Sequence, residues 1–435
     1  MRRGKLIALV IISLVLTLSL GYGLAAAQEK QVTTITFYNE FVVGPEREAI
    51  DLLMNLFSKA HPEVKIEPSY FENVQMEVKM KTAFAGGNPP DLSDHSCREP
   101  LWRFVRENVM ADISDWMNKN KDRLILQKGA EDVRYDGKYW GVPLNLYHGS
   151  ILWYNKDLLD KLSIDPTTFQ YWSDVLNACE KLKANGYIPI AYGNQEGWNG
   201  AHWVGHFLTR IMGTEPSLEL YCGLRDWTAP EVVKGFELYD ELNKKGYFNE
   251  GAVALDYPTA YSVFFQGNAG FFQTGNWFIA HSKNAKPNFE IGVIPLPAIE
   301  GYAGKSTDAV VDILGLAISK TTKEREEAAL KFIDFITQPE IYYQFVKTSY
   351  LAPAWNLGEY SEQITDPMQK NQLKILFDSK AAVSFGDTAV PMSIVTDLFR
   401  PLTQGILTNE ITPQEAAKKM QERYIKDNIK LPLHP

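Results

Sequence analysis

From Val32 onward, short β-rich stretches alternate with segments whose apolar residues recur at the helical period, and this alternation restricts the chain to an α/β architecture. Val32 to Tyr38 reads as a strand. Pro45 then opens a helix in which Ile50, Leu53, Met54, Phe57 and Ala60 share one face until His61-Pro62 ends it. A strand over Val64 to Tyr70, a helix over Val74 to Phe84 and the turn Gly86-Gly87-Asn88-Pro89-Pro90 follow. Such an order predicts a mostly parallel sheet. The β-biased stretch Tyr139 to Tyr154, a helix over Ser173 to Ala184 and a strand over Ile188 to Tyr192 begin a second α/β unit. Cys179 shares a helical face there with Val175 and Leu182 and reads as a core residue. Glu231 to Lys245 reads as helix, and Ala269 to Phe272, Glu290 to Leu296 and Ile313 to Ile318 as strands. Beyond them the pattern turns helical. Thr322 caps a helix running to Ile336, Pro339 opens one to Val346, and Thr412 to Asn428 forms the last.

With 435 residues the chain has room for two to three compact units. Lys and Arg number 44 against 53 Asp and Glu, a net charge of −9, so no global positive field exists to hold nucleic acid, and none is expected as a partner. Aromatic residues reach 12%, more than cores of this size demand, which suggests surfaces for something flat and partly apolar. Arg2, Arg3 and Lys5 precede an apolar run from Leu6 to Leu20, with Ala25-Ala26-Ala27 after it. The run is short of the roughly 20 residues a membrane span needs, so it reads as a signal peptide of residues 1–27, cleaved after Ala27. Cleavage removes three positive charges and deepens the mature charge to −12. No cysteine stands at that junction to take a lipid anchor, so a periplasmic or secreted monomer is expected. Cys97, Cys179 and Cys222 are an odd set that forms at most one bridge.

Enzyme motifs find little support. Gly304-Lys305-Ser306 would need a glycine where Ile299 stands to make a phosphate-binding loop. Gly193, Gly197 and Gly200 miss the dinucleotide spacing, Ser150 lacks the glycines of a nucleophile elbow, and the seven histidines show no metal-ligand spacing. No catalytic residue, metal or cofactor is assigned. A carboxylate pair for glycoside hydrolysis is not nominated by sequence alone.

Several ordered pieces carry a resemblance. They are Gly87-Asn88-Pro89-Pro90-Asp91-Leu92, Gly141-Val142-Pro143 leading into Trp153-Tyr154-Asn155-Lys156-Asp157-Leu158-Leu159, Trp172-Ser173, Gly186-Tyr187-Ile188-Pro189-Ile190, Phe265 to Gly270, Gly275-Asn276-Trp277 and Leu316-Ala317-Ile318-Ser319. Their order and spacing resemble the extracellular carbohydrate-binding proteins of bacterial ABC importers, the family that includes maltose-binding protein. Ser93-Asp94-His95 departs from the more apolar run common after the Pro-Asp turn. The resemblance implies a two-lobed periplasmic-binding-protein fold with hinge-connected lobes and a helical C-terminal region, a carbohydrate held between the lobes, and delivery to a membrane-embedded permease. It places residues 28–147 and 312–350 in the N-terminal lobe and 148–311 and 351–435 in the C-terminal lobe. Hinges are expected near Asn145 to Gly149, Ala309 to Ile313 and Ser349 to Pro353.

A pyranose offers C–H faces to aromatic rings and a rim of hydroxyls that need partners once buried. On that chemistry the resemblance nominates Trp277 with Asn276, Trp198 with Glu196, Tyr147 with His148, Glu40 with Phe41, the group Asp94, His95 and Arg98, then Asp312 and Trp355. Core packing competes for Trp277 and Trp355, a pair satisfied by backbone for Tyr147 and His148, and an Asp94–Arg98 ion pair for those two. Two other readings stay open: a secreted glycoside hydrolase, and the same fold holding a polyol, a sugar phosphate or another small solute.

Overall fold

A computed structural model describes residues 32–433, so the expected signal peptide lies outside the described residues. The strands in chain order are β1 (Thr33–Asn39), β2 (Val64–Tyr70), β3 (Leu92–Ser96), β4 (Arg134–Tyr135), β5 (Lys138–Tyr139), β6 (Val142–His148), β7 (Ile151–Asn155), β8 (Ile188–Ala191), β9 (Ala269–Phe272), β10 (Ile291–Pro295), β11 (Asp308–Ile318), β12 (Ala352–Pro353) and β13 (Ala381–Val383). One sheet runs β12-β6-β11-β3-β1-β2 with β13 beside one end of β11, and a second runs β10-β7-β9-β8. Each carries helices over apolar faces. The result is two α/β lobes.

The helix Gly44–Ala60 starts at its proline and turns Ala49, Ile50, Leu53 and Phe57 inward, as its 3.6-residue pattern requires. Thr322 accepts a bond from the Arg325 backbone N–H, and Thr412 forms a capping box with Glu415, so both expected caps are in place. Cys179 is buried in the second core, and all three cysteines are free thiols.

The expectation of mostly parallel sheets needs correction. Strands β2, β1 and β3 are parallel, as are β8 with β9, but β11 runs antiparallel to both β3 and β6, and β7 antiparallel to β9 and β10. These antiparallel strands follow excursions into the other lobe or tight reversals, not βα crossovers.

The segment that follows the expected boundary at 350 packs on both lobes. Leu351, Trp355, Ile364 and Leu373 lie in the first core with Phe37, Phe57 and Phe332, and Ala352–Pro353 pairs with β6. Tyr350, Met368 and Ile375, however, pack on the second-lobe cluster of Ile151, Trp153 and Phe278, and Lys283 pairs with Asp366, so the third crossing is spread over this segment. The other crossings join β6 to β7 and enter β11. They are tied together: Gly149 donates to the Val310 carbonyl at 2.9 Å, and Val310 donates to the Ser150 hydroxyl at 2.9 Å. A β-carbon on Gly149 would stand 2.1 Å from the Phe385 ring, so a larger residue where these segments cross must push that buried ring aside.

Candidate ligand site between the lobes

Trp277 follows β9 at the start of the helix Phe278–Ala285, where the chain turns from strand to helix at the interlobe surface. Its ring packs against both lobe cores. Tyr147, at the end of β6, meets it edge-on at 5.2 Å. Trp198, Phe385 and His202 surround it at 6.2 to 6.3 Å. Trp198 opens the helix Trp198–Met212 after Gly197, whose φ of 76° makes the turn that brings the indole to the cleft. Tyr257 closes the far side, 5.0 Å from Trp198.

Carboxylates edge this aromatic group. Tyr147 donates its hydroxyl to Glu40 at 3.1 Å, and the Glu40 backbone N–H donates to Asp94 Oδ2 at 2.9 Å. Asp94 is 1% exposed, and its Oδ1 has no hydrogen-bond partner. Glu46 Oε1 and Glu196 Oε2 are likewise buried and unpartnered, while Glu196 Oε1 accepts the Tyr257 N–H at 3.3 Å. Burial, and next the charge of Glu40, push Glu46 up to about 8 and Asp94 well above the usual carboxylate range. A second group lies deeper. Asp312 accepts from Thr388 at 3.3 Å and is pushed up to about 8, first by burial and then by Asp132. Burial acts on Asp387 in the same sense, but His202 at 3.1 Å and Arg400 at 3.0 Å overcome it and hold that carboxyl below its usual range.

Trp277, Trp198, Glu196, Tyr147, Glu40, Asp94 and Asp312 are thus brought to the interlobe surface. The remaining nominated residues are engaged elsewhere. Asn276 is fully buried, donates to the Leu146 carbonyl and accepts the His148 N–H, each at 3.0 Å, so its amide clamps the first crossing. His148 contacts Ser150 and Gln372 through its two ring nitrogens at 3.2 Å, and burial lowers it to about 3. Phe41 packs on Phe345 in the first core. His95 points to the face of β3 opposite Asp94, contacts Ser93 at 2.9 Å and lies against Phe104. Arg98 pairs with Asp132 at 3.3 Å, so the expected Asp94–Arg98 ion pair is not formed. Trp355 donates to the Pro143 carbonyl at 2.6 Å inside the first core.

Glu46, His202, Tyr257, Phe385 and Asp387 were not legible as site residues. Glu46 reads in sequence as an ordinary acid in a first helical turn. Phe385 and Asp387 lie at the start of the short helix Gly386–Ala389 after β13, where no periodicity places them.

The family of bacterial extracellular solute-binding proteins matches residues 44–342. The chain belongs to this family. Among extracellular solute-binding proteins similar to it, an uncharacterised ABC transporter extracellular-binding protein of Pyrococcus horikoshii is 27% identical over 385 residues, 85% of this chain and 82% of the relative. The sn-glycerol-3-phosphate-binding periplasmic protein of Shigella flexneri is 27% identical over 362 residues, 77% of each chain. A structure from work on xylan utilization by Caldanaerobius polysaccharolyticus superposes with a TM-score of 0.81 at 23% identity, over 90% of this chain and 99% of that one, and shows the shared two-lobed fold. As an extracellular solute-binding protein the chain is related to binding proteins of ABC transporters. Among its described residues no helix is long and apolar enough to cross a membrane.

Proposed function

We propose that this solute-binding protein captures a carbohydrate, an oligosaccharide in particular, between its lobes and delivers it to an ABC permease without chemically altering it. The observation that carries the reading is Trp277: an indole held among Tyr147, Trp198 and Phe385, beside carboxylate oxygens of Asp94, Glu46 and Glu196 that have no partner. Rings take the C–H face of a pyranose, and the orphan acceptors take its hydroxyls. The structural likeness to a protein from xylan utilization supports the same class. Asp312, His202 and Asp387 extend the polar side. Asn276, His148, Phe41, His95, Arg98 and Trp355 act as scaffold.

Ligand contacts from both lobes favour the form in which the lobes meet, so binding and closure are one equilibrium about the three crossings. The mature chain begins at Gln28 and acts as a freely diffusing monomer. A phosphate ester, as in the Shigella relative's name, fits less well beside Glu46 and Asp94, whose electrostatic neighbour is another acid, Glu40.

A melting screen against a carbohydrate panel tests the reading, since ligand at 100 times its Kd stabilises by about 2.7 kcal/mol. Sugars that raise Tm are then followed by calorimetry, by small-angle scattering and by chromatography over hours. Saturable binding, a smaller radius of gyration and an unaltered sugar are expected. Hydrolysis of the bound sugar would establish the glycoside hydrolase reading instead.

A further inference from the structure

We propose that a second aromatic platform, the Tyr261 ring stacked on His281, takes a further sugar unit beyond the one held at Trp277, so that the ligand is an oligosaccharide whose chain runs outward along the second lobe. The inference rests on the carbohydrate reading and adds to it a direction and a dependence on chain length.

Two helices of the second lobe carry the platform. Tyr257 and Tyr261 stand one turn apart on the helix Tyr257–Phe265, and Trp277 and His281 one turn apart at the start of Phe278–Ala285, so each pair shares a helix face. The rings form a continuous file. Trp277 lies 6.2 Å from Trp198, Trp198 5.0 Å from Tyr257, and Tyr257 5.2 Å from Tyr261, which stacks on His281 at 4.8 Å with the two planes 17° apart. This file faces the first lobe. The helix Gly44–Ala60 packs beside Phe278–Ala285, and burial, then the charge of Glu72 in the first lobe, raises the Tyr261 hydroxyl.

The outer pair differs from the inner rings in what its polar atoms do. Tyr257 is buried and its hydroxyl accepts from Thr274 at 3.3 Å, while Trp153 donates to the Thr274 carbonyl at 3.1 Å. Tyr261 and His281 are each half-buried. Among the described residues, neither the Tyr261 hydroxyl nor a His281 ring nitrogen has a hydrogen-bond partner, and none of these atoms is sealed from solvent. Burial lowers His281 to about 4, so at neutral pH its imidazole is uncharged and has one donor and one acceptor to offer.

Helix packing does not require this pair. Phe264 and Phe265 of one helix already meet Phe278 of the other at 5.7 and 5.2 Å, in a cluster that joins the two helices without Tyr261 or His281. What stands at the outer end of the file is an accessible ring pair beside unused donors and acceptors. A pyranose calls for that combination, with a ring for its C–H face and polar partners for its hydroxyls. An uncharged platform suits a neutral sugar unit.

Calorimetry on the full mature protein at pH 7, with the one-unit to four-unit members of the β-1,4-xylose, β-1,4-glucose and α-1,4-glucose series, tests the assignment. In the series that binds, affinity is expected to climb with length and then level off. Tyr261→Ala and, separately, His281→Ala should each weaken the longest member by about fivefold, the scale of one aromatic contact, while the shortest member that binds stays within about twofold. Trp277→Ala should weaken every length. Tyr261→Phe keeps the ring and should preserve the rise with length. Two platform variants guard against a folding defect in one, and near-parental melting confirms that each is folded. A parent protein that binds all lengths equally, or platform variants that leave every length unchanged or weaken all lengths alike, overturns the outer platform and leaves the carbohydrate reading standing. If only a sugar of another linkage binds, its own length series is judged by the same criterion. Failure of every saccharide, monosaccharides included, overturns both.

Discussion

The Trp277 ring lies so close upon Gly275 that a β-carbon there would stand 2.0 Å from Cζ3 of the indole. The glycine therefore sets where the indole rests among its aromatic neighbours. Gly275→Ala must swing the ring aside, and because the obstacle is the far end of a side chain, the fold should survive. The expected result is a near-native melt with sugar affinity reduced more than tenfold and a shifted tryptophan emission. Unchanged affinity would show that the position of the ring is immaterial to binding.

Trp277→Ala removes the stacking surface itself. Affinity should fall by about 2 kcal/mol or more, the range of a buried aromatic anchor. Calorimetry on a folded variant checks this, and full affinity would place Trp277 among packing residues.

Asn276, its neighbour, should behave differently. Its amide holds the Leu146 carbonyl and the His148 N–H, so Asn276→Ala leaves two buried backbone groups without partners at the first crossing. A stability loss of about 2 to 4 kcal/mol in urea unfolding is expected. Loss of affinity at full stability would instead make Asn276 a ligand contact.

This contrast shows what the sequence could convey. Alternating strands and helices, the caps at Thr322 and Thr412 and the buried Cys179 depend on neighbours within a few residues, and such signals are local. The cleft is not local. Gly275-Asn276-Trp277 marked a loop that the fold sets between the lobes, but which way each side chain turns depends on which strand lies opposite, and Asn276 faces Leu146, 130 residues away. Asp94 and His95 are adjacent on one strand, and the pleat alone sends one to the cleft and the other beneath Phe104. Arg98 found Asp132 for a similar reason. Leu351 to Leu376 carries a helical pattern compatible with either lobe, and its residues divide between the two.

Asp312 gives a pH signature. Its folded value of about 8 lies far above the ordinary 3.8, so the fold favours the protonated form. Its contribution is fully present below about pH 4 and is lost as pH rises through 8. Ligand-free protein should therefore melt at a higher temperature at pH 5 than at pH 8. Asp312→Asn should flatten this dependence and raise Tm at pH 8, with Glu46 leaving a residual slope in the same direction. A variant with the parental pH profile would exclude Asp312 as the source.

Arg98 ties the first lobe to the end of the chain. The guanidinium is 2% exposed, pairs with Asp132 and donates to the Pro432 carbonyl at 3.5 Å. Arg98→Ala should destabilise by about 3 kcal/mol, as removal of one member of a buried pair does, even with Lys128 remaining beside Asp132. Denaturant titration measures it, and a change below about 1 kcal/mol would show the pair and the tail contact to be dispensable.

Strand β11 has a consequence for how the protein is made. It stands between β6 and β3 in the first sheet, yet it begins at Asp308, after the chain has made every strand of the second sheet. A growing chain that has passed residue 148 holds β1, β2 and β3 on one side and β6 on the other, with nothing to join them. The second lobe interrupts the first, and the first must wait for it. Such long-range closure slows folding and keeps strand edges open during synthesis. A chain cut short before Asp308 should thus be captured by chaperones and proteases, while a chain carried past Ile318 can join β6 to β3 and leaves only the short edge strands β12 and β13 to add.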